Sequence, residues 1–283
     1  MTLQNIGVIG AGTMGNGIAQ VCALAGFNVT LIDISEGALQ KAVATVNKNL
    51  DRQVSKNTLT HEQKLAALDR IRTSTEYHSL QNAQLVIEAA TENLDLKLRV
   101  LQQIAAQVSA ECVIASNTSS LSITQLAASV SRPERFIGLH FFNPVPVMGL
   151  IEVIRGLQTS DATRALALEM ASTLGKTAIT AANRPGFVVN RILVPMINEA
   201  ILVLQEGLAS AEDIDVGMRL GCNQPIGPLA LADLIGLDTL LAILEAFYDG
   251  FNDSKYRPAP LLKEMVAAGY LGRKTGRGFH AYA

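Results

Sequence analysis

The sequence predicts a chain in two parts, a doubly wound α/β sheet over residues 1–184 and an all-α region over residues 185–283. Two observations carry this expectation. Through the first part, short apolar runs alternate with helix-length amphipathic stretches, the pattern of parallel strands joined by crossover helices. After Asn183-Arg-Pro-Gly-Phe187 the strand-length runs stop, and only helical runs separated by Gly and Pro remain.

Taken in order, residues 6–9 read as a buried strand, residues 13–26 as a helix rich in small side chains, and residues 28–32 as a second strand closed by Asp33. Such a strand–helix–strand unit is parallel and right-handed. Residues 35–69 are polar with spaced Leu and Val, so two helices are expected, with Ser35 capping the first and a break near Ser55-Lys-Asn-Thr58. Further strands are expected at 71–73, 85–88, 113–116, 136–140, 150–153 and 177–180, with a helix at 163–174. Residues 188–205 are apolar on nearly every face, which predicts a helix buried in a core or a subunit interface, kinked at Pro195.

Hydrophobic residues are 49% of the chain and charged residues 17%, enough apolar material for a core and a composition unlike that of disordered chains. A net charge of -2 gives no general attraction to nucleic acid or to anionic membranes. The cysteines Cys22, Cys112 and Cys222 show no C-x-x-C spacing, so neither a metal site nor a disulfide framework is expected, and inert thiols in a reducing compartment fit best. Met1-Thr-Leu-Gln-Asn5 runs into a strand without a cationic leader, and no apolar run approaches the roughly 18 residues that span a bilayer. The cytoplasm is the expected location, with no membrane partner.

Gly10-Ala-Gly12-Thr13-Met14-Gly15 is a G-x-G-x-x-G. Glycine triplets also serve as plain turns, but here the motif follows a strand, opens a helix, and is followed by an acidic residue at the end of the next strand. In that setting Gly10 permits a tight turn, Gly12 lets the backbone approach a pyrophosphate, and Gly15 lets helix and strand pack closely. The helix N-terminus then offers unpaired N–H groups to phosphate. Asp33 suits a ribose 2′-hydroxyl and repels a 2′-phosphate, and no Arg follows it in Ile34-Ser-Glu36, so the expected cofactor is NAD in a Rossmann-type domain.

Removing a hydride from an alcohol also needs a base for the hydroxyl proton, and histidine suits that role near neutral pH. Of the four histidines, His61 and His78 lie in polar stretches and His280 near the C-terminus, whereas His140 ends a strand, where ligands gather in open α/β sheets. A satisfied core histidine is the plain alternative. Glu152 tips the balance: it stands inside the apolar run Leu150-Ile-Glu-Val153, where an unpaired carboxylate is costly. The proline-rich connection can fold that strand back beside His140, and a Glu–His pair would orient the imidazole.

The segments Gly7-Val-Ile-Gly-Ala-Gly-Thr-Met-Gly15, Ala115-Ser-Asn-Thr-Ser-Ser120, His140-Phe-Phe-Asn-Pro144, Asn183-Arg-Pro-Gly-Phe-Val-Val-Asn-Arg191 and Gly272-Arg-Lys-Thr-Gly-Arg-Gly-Phe279 together resemble the 3-hydroxyacyl-CoA dehydrogenase family. The resemblance runs end to end and implies oxidation of a short-chain (S)-3-hydroxyacyl-CoA by NAD. It implies that His140 is the base paired with Glu152, that Ser119 hydrogen-bonds the substrate's 3-oxygen, and that Asn190 holds the acyl group or a water network. It places Glu92, Lys97 and Asn117 along the NAD pocket, Asn143 near the nicotinamide, and Arg52 and Lys56 at the CoA nucleotide. Plainer uses stay open: Ser119 or Asn117 as a helix cap, Asn190 as a packed helix-start residue, and Arg52 and Lys56 as solvated charges. The last Gly-rich segment reads as a structural turn. A homodimer through the helical region is expected. Two other readings compete, a related dehydrogenase of a free hydroxy or sugar acid, and a silent NAD-binding protein. Lysine-based 3-hydroxyisobutyrate and phosphogluconate dehydrogenases fit worse, because they lack the His-Phe-Phe-Asn-Pro segment.

Overall fold

A computed structural model describes residues 3–282, and the chain divides into two compact units between Arg184 and Pro185. In the first unit, β1 (Asn5–Ile9), α1 (Thr13–Leu24) and β2 (Asn28–Ile32) form the opening βαβ unit. Then come α2 (Glu36–Ser55), α3 (His61–Asp69), β3 (Ile71–Ser74), β4 (Leu85–Glu88), α4 (Leu94–Gln107), β5 (Val113–Ser116) and α5 (Ile123–Ala127). Finally β6 (Phe136–Phe141), β7 (Leu150–Arg155), α6 (Asp161–Thr173) and β8 (Thr177–Ala182) close the unit.

The eight strands form one sheet in the order β3-β2-β1-β4-β5-β6-β7-β8, parallel throughout except for the antiparallel pair β6–β7. The doubly wound expectation is met: the order reverses between β1 and β4, where such sheets bind ligands beyond their carboxyl ends. The break between the first two long helices falls as expected. Helix α2 ends at Ser55, Asn57 takes a positive φ of 55°, and Thr60 and Gln63 form a reciprocal capping box that starts α3. Ser35, Asn93, Ser122 and Ser160 cap α2, α4, α5 and α6, each worth about 1 kcal/mol.

The last of these starts α6 two residues before the expected 163. Helix α4 falls where the sequence reading singles out no helix, because its opening Leu94-Asp-Leu-Lys-Leu98 alternates apolar and polar residues, and the helix after β5, α5, has only five residues.

The second unit is helical among the described residues: α7 (Val189–Gln205), α8 (Ala211–Gly221), α9 (Pro228–Ile235), α10 (Leu237–Phe251) and α11 (Pro260–Ala267). Ile197, Ile201, Leu229, Leu240, Leu244 and Phe247 lie at its core. Helix α7 is less enclosed than its composition suggests. Val194, Ile197, Asn198, Ala200 and Ile201 are buried, whereas Ile192 is 69% exposed, because one stripe of a helix suffices to reach a single core. No helix among the described residues is long and apolar enough to cross a membrane.

Candidate active site

The turn between β1 and α1 is built by its glycines. Gly10 has φ +97°, and a Cβ there would lie 2.7 Å from the Ala89 carbonyl oxygen. A Cβ on Gly15 would sit 1.7 Å from the Gly10 carbonyl oxygen, so α1 packs on the turn only with glycine there. Gly12 is different: nothing lies within 4 Å of its missing Cβ. The turn is therefore bare on the one side where a ligand can approach.

Asp33 ends β2 beside this turn. Its Oδ2 accepts the Ala11 amide at 2.8 Å and its Oδ1 the Ser35 amide at 3.0 Å, which leaves acceptor capacity for a hydroxyl. Gly12 caps α1 without a side chain, so no side chain competes for the first-turn amides. A cavity of about 560 Å³ lies here, lined by Gly10, Gly12, Thr13, Asp33, Ala90 and Asn143 among others. An open backbone cradle, free helix amides and a ribose-suited carboxylate fit a dinucleotide. Met14 is partly buried and packs against the hydrophobic core of the unit.

His140 and Glu152 are directly opposed in the β6–β7 ladder. Nδ1 of His140 lies 2.7 Å from Glu152 Oε2; Glu152 is wholly buried and His140 7% exposed. An ionised Glu152 can only accept, so it assigns the proton to Nδ1 and makes Nε2 the basic nitrogen of the neutral ring. The Phe142 ring packs 4.5 Å from the imidazole, centroid to centroid. The connection after His140 contains a cis Asn143–Pro144 peptide and is tied down by Lys176, whose ammonium donates to the carbonyls of Val145 at 2.8 Å and Met148 at 2.6 Å. Burial pushes the Lys176 pKa below the ordinary lysine value.

The segment after β5 supplies the other polar groups. Asn117 Oδ1 accepts the Phe141 amide at 2.8 Å and ties β5 to the end of β6. Neither Asn117 nor Ser119 caps α5; Ser122 does. Ser119 instead donates to Glu92 through its amide at 2.6 Å and its hydroxyl at 3.0 Å.

Lys97 is enclosed rather than on the cavity wall: its side chain is 1% exposed and paired with Glu88 at 2.5 Å. Glu92 and Asn117 are likewise absent from the cavity lining, as are Arg52 and Lys56, which stand exposed where α2 ends. Asn190 sits in the first turn of α7, in the second unit.

Sequence reasoning passes over Glu88, Thr118 and Phe142, and over Lys41 and Asn49, which line the cavity from α2. The signal for Glu88 was available, because it closes an apolar strand just as Glu152 interrupts one. The α2 residues carry no such mark; on a polar helix they look like solvated surface.

A glycine turn open to a dinucleotide and an oriented imidazole, both at the carboxyl ends of strands in one sheet, define a nicotinamide-dependent dehydrogenase. Residues 5–184 match the NAD-binding domain of 3-hydroxyacyl-CoA dehydrogenase, and residues 186–282 match its C-terminal domain. The chain belongs to the 3-hydroxyacyl-CoA dehydrogenase family. It is 52% identical over 280 residues to a 3-hydroxybutyryl-CoA dehydrogenase of Bradyrhizobium diazoefficiens, covering 99% of this chain and 96% of that one. It is 46% identical over 279 residues to a 3-hydroxybutyryl-CoA dehydrogenase of Clostridioides difficile, covering 99% of each. The crystal structure of (S)-3-hydroxybutyryl-CoA dehydrogenase PaaH1 from Ralstonia eutropha superposes with a TM-score of 0.98 at 62% identity, over 100% of both chains.

Proposed function

We propose that the chain interconverts (S)-3-hydroxybutyryl-CoA and acetoacetyl-CoA, with His140 as the general base. The observation that carries the reading is the buried His140–Glu152 pair at 2.7 Å, at the carboxyl end of a sheet whose first turn fits a dinucleotide. When bound, NAD supplies the acceptor for the hydride that leaves C3. His140 takes the 3-hydroxyl proton on Nε2 as the C3–O bond becomes a carbonyl, and returns it in reduction. Glu152 holds the ring in one tautomer and stabilises the imidazolium that forms. Ser119 contacts the 3-oxygen, and Asn190 contacts the acyl group or its waters.

Gly10, Gly12, Thr13, Met14, Gly15, Asp33, Glu92, Lys97, Asn117 and Asn143 hold the cofactor. Arg52 and Lys56 meet the CoA nucleotide. Residues 1–184 act as the NAD-binding domain, and residues 185–283 as the substrate and dimerisation domain of a cytoplasmic homodimer. The exposed Ile192 on α7 supports the last point.

The deciding experiment follows NADH oxidation with acetoacetyl-CoA for the wild type and His140→Ala, with free acetoacetate as control. Turnover of the CoA ester that collapses in the variant is the expected result. Turnover that survives the substitution removes His140 as the base, and activity on the free acid alone removes the CoA thioester as substrate.

A further inference from the structure

The turn that ends α6 sets a lysine at a fixed point. Gly175 takes φ +67°, and the amides of Gly175 and Lys176 return to the carbonyls of Ser172 at 2.9 Å and Ala171 at 3.0 Å, the paired bonds of a Schellman cap. Lys176 stands one residue before β8, and the next amide, that of Thr177, bonds the Gly149 carbonyl at 2.8 Å. From this anchored backbone its half-buried side chain reaches the connection between β6 and β7, where it donates to the Val145 and Met148 carbonyls.

That connection has few ways to hold itself. Pro144 and Pro146 carry no N–H, and the amides of Val147 and Met148 both turn back to the Pro144 carbonyl, at 2.9 Å and 3.0 Å. Among the described residues no backbone amide serves the Val145 or Met148 carbonyl, so the Lys176 ammonium supplies the donors. The ammonium pairs with no carboxylate among those residues, so its carbonyl contacts are not incidental to an ion pair. The segment is also pressed on α1: Val145 is 2% exposed, and a Cβ on Gly17 would lie 2.8 Å from the Val145 Cβ.

Asn143, Pro144, Val145 and Pro146 line the cofactor cavity. Gly17 on α1 and the Lys176 ammonium thus fix one wall of that cavity. A misplacement of about 1 Å, even one caused far from the chemistry, can cost about 10²-fold in rate.

We propose that Lys176 is a positioning residue for hydride transfer: by holding the Val145 and Met148 carbonyls it fixes the wall at residues 143–146 against which the nicotinamide lies. This role rests on the reading that Asn143 meets the nicotinamide end of the cofactor.

Lys176→Met removes the donors and keeps an apolar stem at a half-buried site. Should it fail to fold, Lys176→Gln, with its shorter arm, takes its place. Each variant of the full chain is compared with the wild type by hydrogen exchange over residues 142–149 and by the Kd of NADH. The Kd of ADP-ribose, which lacks the nicotinamide, and kcat with acetoacetyl-CoA complete the set. Exchange over 142–149 rises by about tenfold or more, while β6 and β7 stay protected. The NADH Kd rises by about tenfold and kcat falls by about tenfold or more. The ADP-ribose Kd stays within about threefold, because the glycine turn and Asp33 are untouched.

Wild-type exchange in the folded variants overturns the proposal. So does an equal loss of NADH and ADP-ribose affinity, which a purely structural lysine would give. Loosened exchange with wild-type NADH affinity and kcat overturns it too, since the segment would then move without consequence for the nicotinamide. If the wild type does not turn over acetoacetyl-CoA, the substrate reading falls alone, and exchange together with the two Kd values still decides the role of Lys176.

Discussion

His140 and Glu152 face each other across the β6–β7 ladder, and this register alone brings the imidazole and the carboxylate to 2.7 Å. Both side chains point to the same face because directly opposed residues on antiparallel strands do so. No loop has to be ordered to make the pair. A slip of one residue would send Glu152 to the other face and leave a buried charge unpaired.

Glu152→Gln keeps the size of the side chain and removes its charge. We expect kcat with acetoacetyl-CoA to fall by about 10²-fold, in the range of general-base contributions, with the melting temperature lowered by only a few degrees, roughly. Steady-state kinetics and a thermal melt on the same sample check both halves. Wild-type kcat in the variant would remove Glu152 from the mechanism.

The glycines of the first turn should separate folding from binding. Gly15→Ala drives a methyl group into the Gly10 carbonyl and should lower stability by about 1–3 kcal/mol or prevent folding. Gly12→Ala meets nothing in the protein and should melt like the wild type, yet its methyl group occupies the space through which a pyrophosphate approaches, so NADH affinity should drop by about tenfold or more. Thermal melts and NADH fluorescence titration read the two effects. Equal behaviour of the two variants would contradict this division.

Burial pushes the thiols of Cys22 and Cys112 up to about 12 from an ordinary value of 9.0, whereas Cys222 is exposed. A disulfide reagent at pH 8 should therefore modify one thiol per native chain and three in denaturant. The two raised values also give a pH dependence. Below pH 9 the thiols are protonated in both states and their contribution is whole. Between about pH 9 and 12 the unfolded chain ionises while the folded one does not, so stability falls as pH rises, by at most about 1.4 kcal/mol per pH unit for each thiol. Denaturant melts across that range test the sign.

The end of the described chain is fastened by Asp233, which is 1% exposed and accepts the amides of Phe279 and His280 and the Tyr282 hydroxyl, each at 2.9 Å. His280 Nε2 in turn lies 2.8 Å from Asp215 Oδ2. A Cβ on Gly278 would sit 1.8 Å from Asp233 Oδ1, so this part of the glycine-rich segment permits the approach. Tyr282→Phe should cost about 1 kcal/mol, and Asp233→Ala should cost several kcal/mol or more, since it strands three donors. Urea unfolding orders the two; a larger effect from Tyr282→Phe would refute the role given to Asp233.

Much of the site is legible without coordinates because its signals are local. The glycine spacing, Asp33 at a strand end and His140 at another each lie inside one short stretch whose pattern reports its own backbone. Glu152 is legible for a different reason: a carboxylate in an apolar strand demands a partner. The same logic applied to Glu88 would have pointed toward Lys97.

The contact between Glu92 and Ser119 spans 27 residues and depends on β4 and β5 being neighbours, which no local pattern encodes. Lys97 illustrates the limit. Its family position is recognisable in sequence, but that it lies between Glu88 and Glu92 follows from how α4 packs.

By itself the sequence determined the two-part architecture, the dinucleotide turn, the histidine–glutamate pair and the family, since hydrophobic periodicity, glycine stereochemistry and the cost of a buried charge all act over a few residues. Tertiary structure decided which helix cap is used, which charges are enclosed, and how Ser119 is held. Those outcomes depend on strand order and on packing between segments far apart in the chain, where desolvation and hydrogen-bond geometry are set jointly by residues that no short stretch contains.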